Sequence, residues 1–392
     1  MQKGLWLVLS LALVRLIAAP AAGPQQAESQ SPRAITIDAS LVPIRVVVRD
    51  SKGQTIGGLA KEDFQIFDGG APQKITQFFA EHLGGTGSQP VTPAQAPPAE
   101  NEERIYTVYL FDDLHISQSN LMLARDAASR HFAELDPVER VAIFTTSGQR
   151  GIDFTLDRDK LRQIVAKIKP LDSGGPTCPK LTYYQADLIR NHDEKTLDAA
   201  TADALICEFN GNPKAANAAR QFAQTAATEV DEIGRALAER SLRILKELVL
   251  GMSKAPGRST IVVVSSGIFI QRSDAESEIE DLAIRRNITV NFLEPQGLVA
   301  YLPDTPFDAR DAGDTVLRQL SYATGGTGFG NNNDLNEGFR RLSGAPEYSY
   351  VLAFSPDPSN LDGKFHKLKV KLATRKSLHV QARNGYFASK PK

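Results

Sequence analysis

Four short runs in this chain are apolar at nearly every position: Ile105 to Phe111 (IYTVYLF), Val141 to Phe144 (VAIF), Thr260 to Val264 (TIVVV) and Ile288 to Leu293 (ITVNFL). A strand with one face in water alternates apolar and polar residues, so runs without alternation have both faces covered. Between them lie segments with helical spacing. Leu121, Ala124, Ala128, Phe132 and Leu135 share one face, and Leu161, Ile164, Val165 and Ile168 share another, with Asp157 placed as the N-cap. A long pattern through Phe222, Val230, Ile233, Leu237, Leu245 and Leu248 runs to a stop at Gly257. Further helices are expected around 276–284, 315–322 and 335–342. Doubly buried strands alternating with helices predict an α/β fold, a doubly wound and mainly parallel sheet covered on both sides.

The ends of the chain follow different spacing. Leu41, Ile44, Val46 and Val48 alternate with Arg45 and Arg49, which predicts a half-buried strand. A second strand is expected through Phe64 and Ile66, a turn at Asp68-Gly69-Gly70, and a third strand through Ile75 and Phe78. The tail returns to this pattern at Tyr348 to Phe354, at Leu368, Val370 and Leu372, and at Leu378, Val380 and Ala382. The expected organisation is an N-terminal β unit at 35–83, a Pro/Gly-rich linker at 84–103, an α/β domain at 104–345 with an insertion about 177–217, and a C-terminal β segment at 346–388. β pieces on both sides of the α/β block predict one all-β, sandwich-like unit built from the N- and C-terminal segments. Two separate β units are the alternative.

Lys+Arg number 45 and Asp+Glu 46, so no net field draws the chain to nucleic acid, and no nucleic-acid partner is expected. At the N-terminus Lys3 precedes an apolar run from Gly4 to Val14 and the small residues Ala19-Pro20-Ala21. This predicts a signal peptide at 1–21 followed by a polar tether at 22–34. The run is short for a bilayer and Arg15 interrupts it, so no stable membrane insertion is expected. Localisation is then exported, periplasmic or extracellular. In an oxidising compartment Cys178 and Cys207, the two cysteines of the chain, are expected to form a disulfide.

The first apolar strand runs into Asp112 and Asp113. Ligands of open α/β sheets bind outside the carboxyl ends of the strands, so these acids mark the candidate site. Strand alternation predicts that the two carboxylates point to opposite sides. Three enzyme motifs are missing: Asp-x-Asp after the strand, Gly-x-Ser-x-Gly at a strand-to-helix elbow, and a Gly-rich phosphate loop.

These residues resemble the metal-ion-dependent adhesion site of von Willebrand factor type A domains. The Asp-x-Ser-x-Ser element is matched by Asp113-Leu114-His115-Ile116-Ser117, the Gly-Gly-Thr loop by Gly174-Gly175-Pro176-Thr177, and the later Asp-Gly strand end by Val264-Ser265-Ser266-Gly267. The flanks VVVRDSKGQTIGGLAKEDFQIFDGGAPQKI and GKFHKLKVKL are similar to those of exported bacterial VWFA-related proteins. The resemblance implies a divalent cation, Mg²⁺ or Mn²⁺, held by Asp113, Ser117 and Thr177, with Asp112, His115 and Ser266 beside it. His115 stands where the family has a serine ligand and Ser266 where it has an aspartate. The site therefore loses negative charge and gains an imidazole, which suits Mg²⁺ poorly. The expected function is an exported, non-enzymatic protein-protein interaction module, for adhesion or scaffolding, with a degenerate adhesion site and an unidentified protein partner. The alternative is a hydrolase using the acidic and histidine face at the same strand ends.

Overall fold

The computed structural model describes residues 41–82, 105–171, 175–252, 255, 258–270, 274–298, 309–343, 348–357, 360–373 and 377–388. The expected signal peptide, tether and linker, with Gly174 and Gly257, lie outside the described residues.

Apolar alternation at the two ends forms two antiparallel four-stranded sheets. β1 (Val42–Arg49) puts Ile44, Val46 and Val48 inward, and β2 (Phe64–Asp68) does the same with Phe64 and Ile66. β3 (Ala71–Gln73) pairs with β2, while β4 (Gln77–His82) belongs to the other sheet. The single third strand expected through Ile75 and Phe78 is thus two strands in two sheets. Ile75 is buried where the chain crosses over, and the Thr76 N–H bonds the Ala353 carbonyl at 2.7 Å to begin the new ladder.

The α/β block comprises β5 (Ile105–Phe111), α1 (Gln118–Ala133), β6 (Arg140–Thr145), β7 (Gly151–Thr155), α2 (Arg158–Ala166), α3 (Tyr183–Arg190), α4 (Glu194–Cys207) and α5 (Ala216–Met252). It continues through β8 (Arg258–Val264), α6 (Asp274–Arg285), β9 (Ile288–Leu293), α7 (Ala309–Ala323), β10 (Gly328–Phe329) and α8 (Leu335–Leu342). The chain then returns to the antiparallel sheets with β11 (Tyr348–Phe354), β12 (Phe365–Leu372), β13 (His379–Ala382) and β14 (Gly385–Phe387). β1 lies between β11 and β13, and β12 lies between β2 and β14, so each sheet combines strands from both ends of the chain. Their inner faces share one core, in which Phe64, Tyr350, Leu352, Phe354, Leu368 and Tyr386 join the β1 residues.

The central sheet has the order β10-β9-β8-β5-β6-β7, parallel except for β7. One face carries Tyr109, Phe111, Val262 and Val264 against α1, α2 and α8. The other carries Val108, Leu110, Ile261 and Val263 against α5, α6 and α7. Each fully buried side chain of this size contributes roughly 1.5–3 kcal/mol, which is why unbroken apolar runs settle at the middle of the sheet. The strand order reverses between β5 and β8, and that point is where a crevice opens in such sheets.

The insertion is helical. Thr182 and Gln185 form a capping box on α3, and Asp193 caps α4 through the Thr196 N–H. Cys178 and Cys207 are joined by a disulfide. Gly234 in α5 faces the ring of Tyr183, where a Cβ would collide with it, so the glycine lets α3 pack onto the long helix.

Candidate functional site

β5 ends at Phe111, and the backbone then tightens: the Asp113 N–H donates to the Phe111 carbonyl at 3.0 Å. Asp112 still sits in the sheet, its N–H bonded to the Val264 carbonyl of β8 at 2.9 Å. The turn takes Asp113 out of strand alternation. The two carboxylates consequently converge rather than diverge, and the Thr146 hydroxyl lies between them, 2.8 Å from Asp112 Oδ1 and 3.1 Å from Asp113 Oδ1.

Asp112 is completely buried and surrounded by donors. His115 Nδ1 lies 2.9 Å from Oδ1 and 3.0 Å from Oδ2. The Ser265 hydroxyl donates to Oδ2 at 2.6 Å, and Ser241 of α5 reaches Oδ1 at 3.3 Å. Burial alone raises the Asp112 carboxyl, but the His115 charge and hydrogen bond, with Ser265 and Thr146, outweigh it and hold the group below its ordinary range. Burial likewise lowers His115, and the charge and hydrogen bond of Asp112 with the charge of Asp113 reverse this, leaving the imidazole above its ordinary value. Each member of the pair favours the charged form of the other.

Asp113, also buried, accepts from the Ser147 N–H at 2.8 Å and the Ser147 hydroxyl at 2.5 Å. Arg240 of α5 donates to the Ser147 carbonyl, so adjacent residues of one helix, Arg240 and Ser241, tie down the two acids. Two buried polar atoms at this edge, His115 Nε2 and Ser266 Oγ, have no hydrogen-bond partner among the described residues.

The remaining sequence-derived residues lie outside this network. Ser117 is the N-cap of α1, accepting from the Asn120 N–H at 3.2 Å, and its hydroxyl is 3.1 Å from Ser119. Thr177 is exposed beside Cys178, with no hydrogen bond to either carboxylate among the described residues. The structure therefore brings together Asp112, Asp113 and His115, and adds Thr146, Ser147, Ser241 and Ser265. The hydroxyl run Thr145-Thr146-Ser147, which begins on the last residue of β6, was the available signal for two of these. Among the described residues, no cluster of three His, Cys, Asp or Glu side chains is arranged to hold a metal ion. No described helix is long and apolar enough to cross a membrane.

No family model matches the chain, and no curated protein does. Similar solved structures include the pilus adhesin SpaC from Lactobacillus rhamnosus GG in its open conformation, at 6% identity and TM-score 0.32 over 85% of this chain and 48% of that one. Another is the human COPII-coat protein Sec24c, at 7% identity and TM-score 0.28 over 74% of this chain and 44% of that one. The chain spans less than half the length of either structure. At TM-scores this low the likeness carries nothing about function.

Proposed function

We propose that the α/β block is a von Willebrand factor A-like interaction module whose adhesion site works without a divalent ion. The observation that carries this is the state of the carboxylates: Asp112 and Asp113 are buried, and every one of their oxygens already accepts from a protein donor. His115 supplies over Asp112 the positive charge that a metal supplies in the family pattern. The donor set does not fit Mg²⁺ or Mn²⁺, which need several exposed oxygens at ~2.1 Å. Ser117 is committed to capping α1, and Thr177 stands apart.

Exposed apolar side chains at the same end of the sheet support a protein-binding role. Met122 and Leu123 follow the site loop in the first turns of α1, and Leu298 follows β9. Protein partners bury side chains of this kind at the centre of an interface. The Cys178–Cys207 disulfide supports export to an oxidising compartment.

One observation favours a second reading, the hydrolase. His115 is oriented through Nδ1 by Asp112 and leaves Nε2 without a partner among the described residues, the arrangement of a general base. That atom is buried, which supports the interaction module instead. Assays with p-nitrophenyl esters and p-nitrophenyl phosphate separate the two. The module gives no turnover above buffer; turnover that disappears in His115→Ala overturns it.

A further inference from the structure

Away from the paired acids, a cleft of about 440 Å³ opens between the turn after β1, strand β13 and the α/β block. This is within the range of small-molecule sites. Arg49 and Lys52 enter it from the turn, His379 from β13, and Tyr322, Thr327 and Arg341 from the α/β side. The cleft is cationic, and two of its cations, Arg49 and Arg341, lie close together.

Arg49 is fixed by two bonds, Nη1 to the Gly53 carbonyl at 2.9 Å and Nε to Gln381 Oε1 at 3.3 Å. Burial and the neighbouring Arg341 charge lower it to about 10, against a smaller opposing effect of Glu337. Arg341 lies directly under Gly53, where any Cβ would strike its guanidinium. Its Nε is buried and has no hydrogen-bond partner among the described residues. The one acid lining the cleft, Asp50, spends Oδ1 on the backbone N–H groups of Lys52 and Gln54, at 2.8 and 2.9 Å.

Two guanidinium groups in one partly buried cleft repel each other, and an orphaned buried N–H is costly. A bound anion between Arg49 and Arg341 relieves the repulsion. We propose that this cleft binds a phosphate group, with Arg49, Arg341 and Lys52 around the phosphate and the remainder of a small phosphate monoester lying toward Tyr322 and Thr327. Guanidinium forks match tetrahedral oxyanions through paired N–H donors, and three cations exceed what one carboxylate uses.

Isothermal titration of the full chain with inorganic phosphate and with phenyl phosphate, at constant ionic strength in chloride, tests the assignment. The expected result is saturable one-site binding, about tenfold weaker in Arg341→Gln and a few-fold weaker in Lys52→Gln. Lys246→Gln, on α5 away from the cleft and paired with Glu278, binds as the wild type does. Lys52 is in an exposed turn, so its variant decides the matter if Arg341→Gln fails to fold. No saturable heat with either probe, or equal affinities in wild type and in the folded cleft variants, overturns the proposal. Saturable binding of sulfate without binding of phosphate or phenyl phosphate also overturns it.

Discussion

The imidazole of His115 straddles the carboxylate of Asp112, with Nδ1 2.9 Å from one oxygen and 3.0 Å from the other. The contact joins a completely buried acid to a base three residues later on the same loop, so the loop carries its own counter-charge. Removing one member of a buried pair strands the other, at about 3–5 kcal/mol. His115→Ala is therefore expected to lower stability by about 3 kcal/mol in urea unfolding, the residual donors Thr146 and Ser265 keeping the loss at the low end.

The same pair gives stability a pH dependence with a definite sign. His115 is raised in the folded state, so its contribution is complete below its unfolded value near 6.5 and is lost as pH rises through the folded value. Asp112 is lowered, so its contribution is present above 3.8 and is lost as pH falls through the folded value. Unfolding midpoints measured across the alkaline side of 6.5 should decline in the wild type and stay flatter in His115→Gln. Parallel curves contradict the assignment of charge to His115.

His131 acts in the opposite direction. It is buried, lies 2.7 Å from the Tyr109 hydroxyl, and is pushed down to about 4 by burial and by the Arg158 charge. Above pH 6.5 it is neutral in both states and costs nothing. As pH falls from 6.5 toward 4 the unfolded chain takes up a proton that the folded chain refuses, and stability drops by about 3 kcal/mol across that window. His131→Gln should remove this acid-side loss; a wild-type slope retained in the variant would sink it.

Two glycines of α5 should respond to alanine with opposite signs. Gly251 has no atom within 4 Å of an added Cβ, so Gly251→Ala gains helix propensity, up to about 1 kcal/mol. Gly234 faces the Tyr183 ring, so Gly234→Ala is expected to cost about 1–3 kcal/mol through overpacking, despite the same propensity gain. Equal effects in denaturant unfolding would mean that Tyr183 does not pack there.

Cys178 and Cys207 lie 29 residues apart in sequence. In the chain-entropy account a loop of this size contributes about 3–4 kcal/mol. Cys178→Ser with Cys207→Ser should lower the midpoint accordingly, and a reducing agent should lower the wild type to match. Insensitivity to reductant contradicts the bond.

Where one physical signal decided the structure locally, the sequence carried it. β9, α8 and β11 fall on the residues expected, since ITVNFL and YSYVLAF can satisfy their apolar side chains only inside a sheet. Short edges were not legible: β10 has two residues and β14 three, too few for any period to register. α3 and α4 carried readable caps at Thr182 and Asp193, but α3 is only eight residues long and α4 is Ala-rich, so neither gives a strong apolar face. At the site, Asp112, Asp113 and His115 were visible as chemistry on a strand end. Their convergence was not, because it depends on one turn at Phe111 and on Thr146, Ser241 and Ser265, hydroxyls from three other elements brought in by long-range packing.

The most direct test of a metal-independent adhesion site is thermal unfolding of the protein after chelation, repeated with Mg²⁺, Mn²⁺, Ca²⁺ or Zn²⁺ added, alongside Asp113→Ala. An ion that binds the native state alone stabilises it by about 2.7 kcal/mol at a hundred times its dissociation constant. The buried, donor-saturated carboxylates predict the same midpoint with and without every ion. A saturable rise with one ion, absent in Asp113→Ala, would contradict the account and return Asp113 to the role of metal ligand.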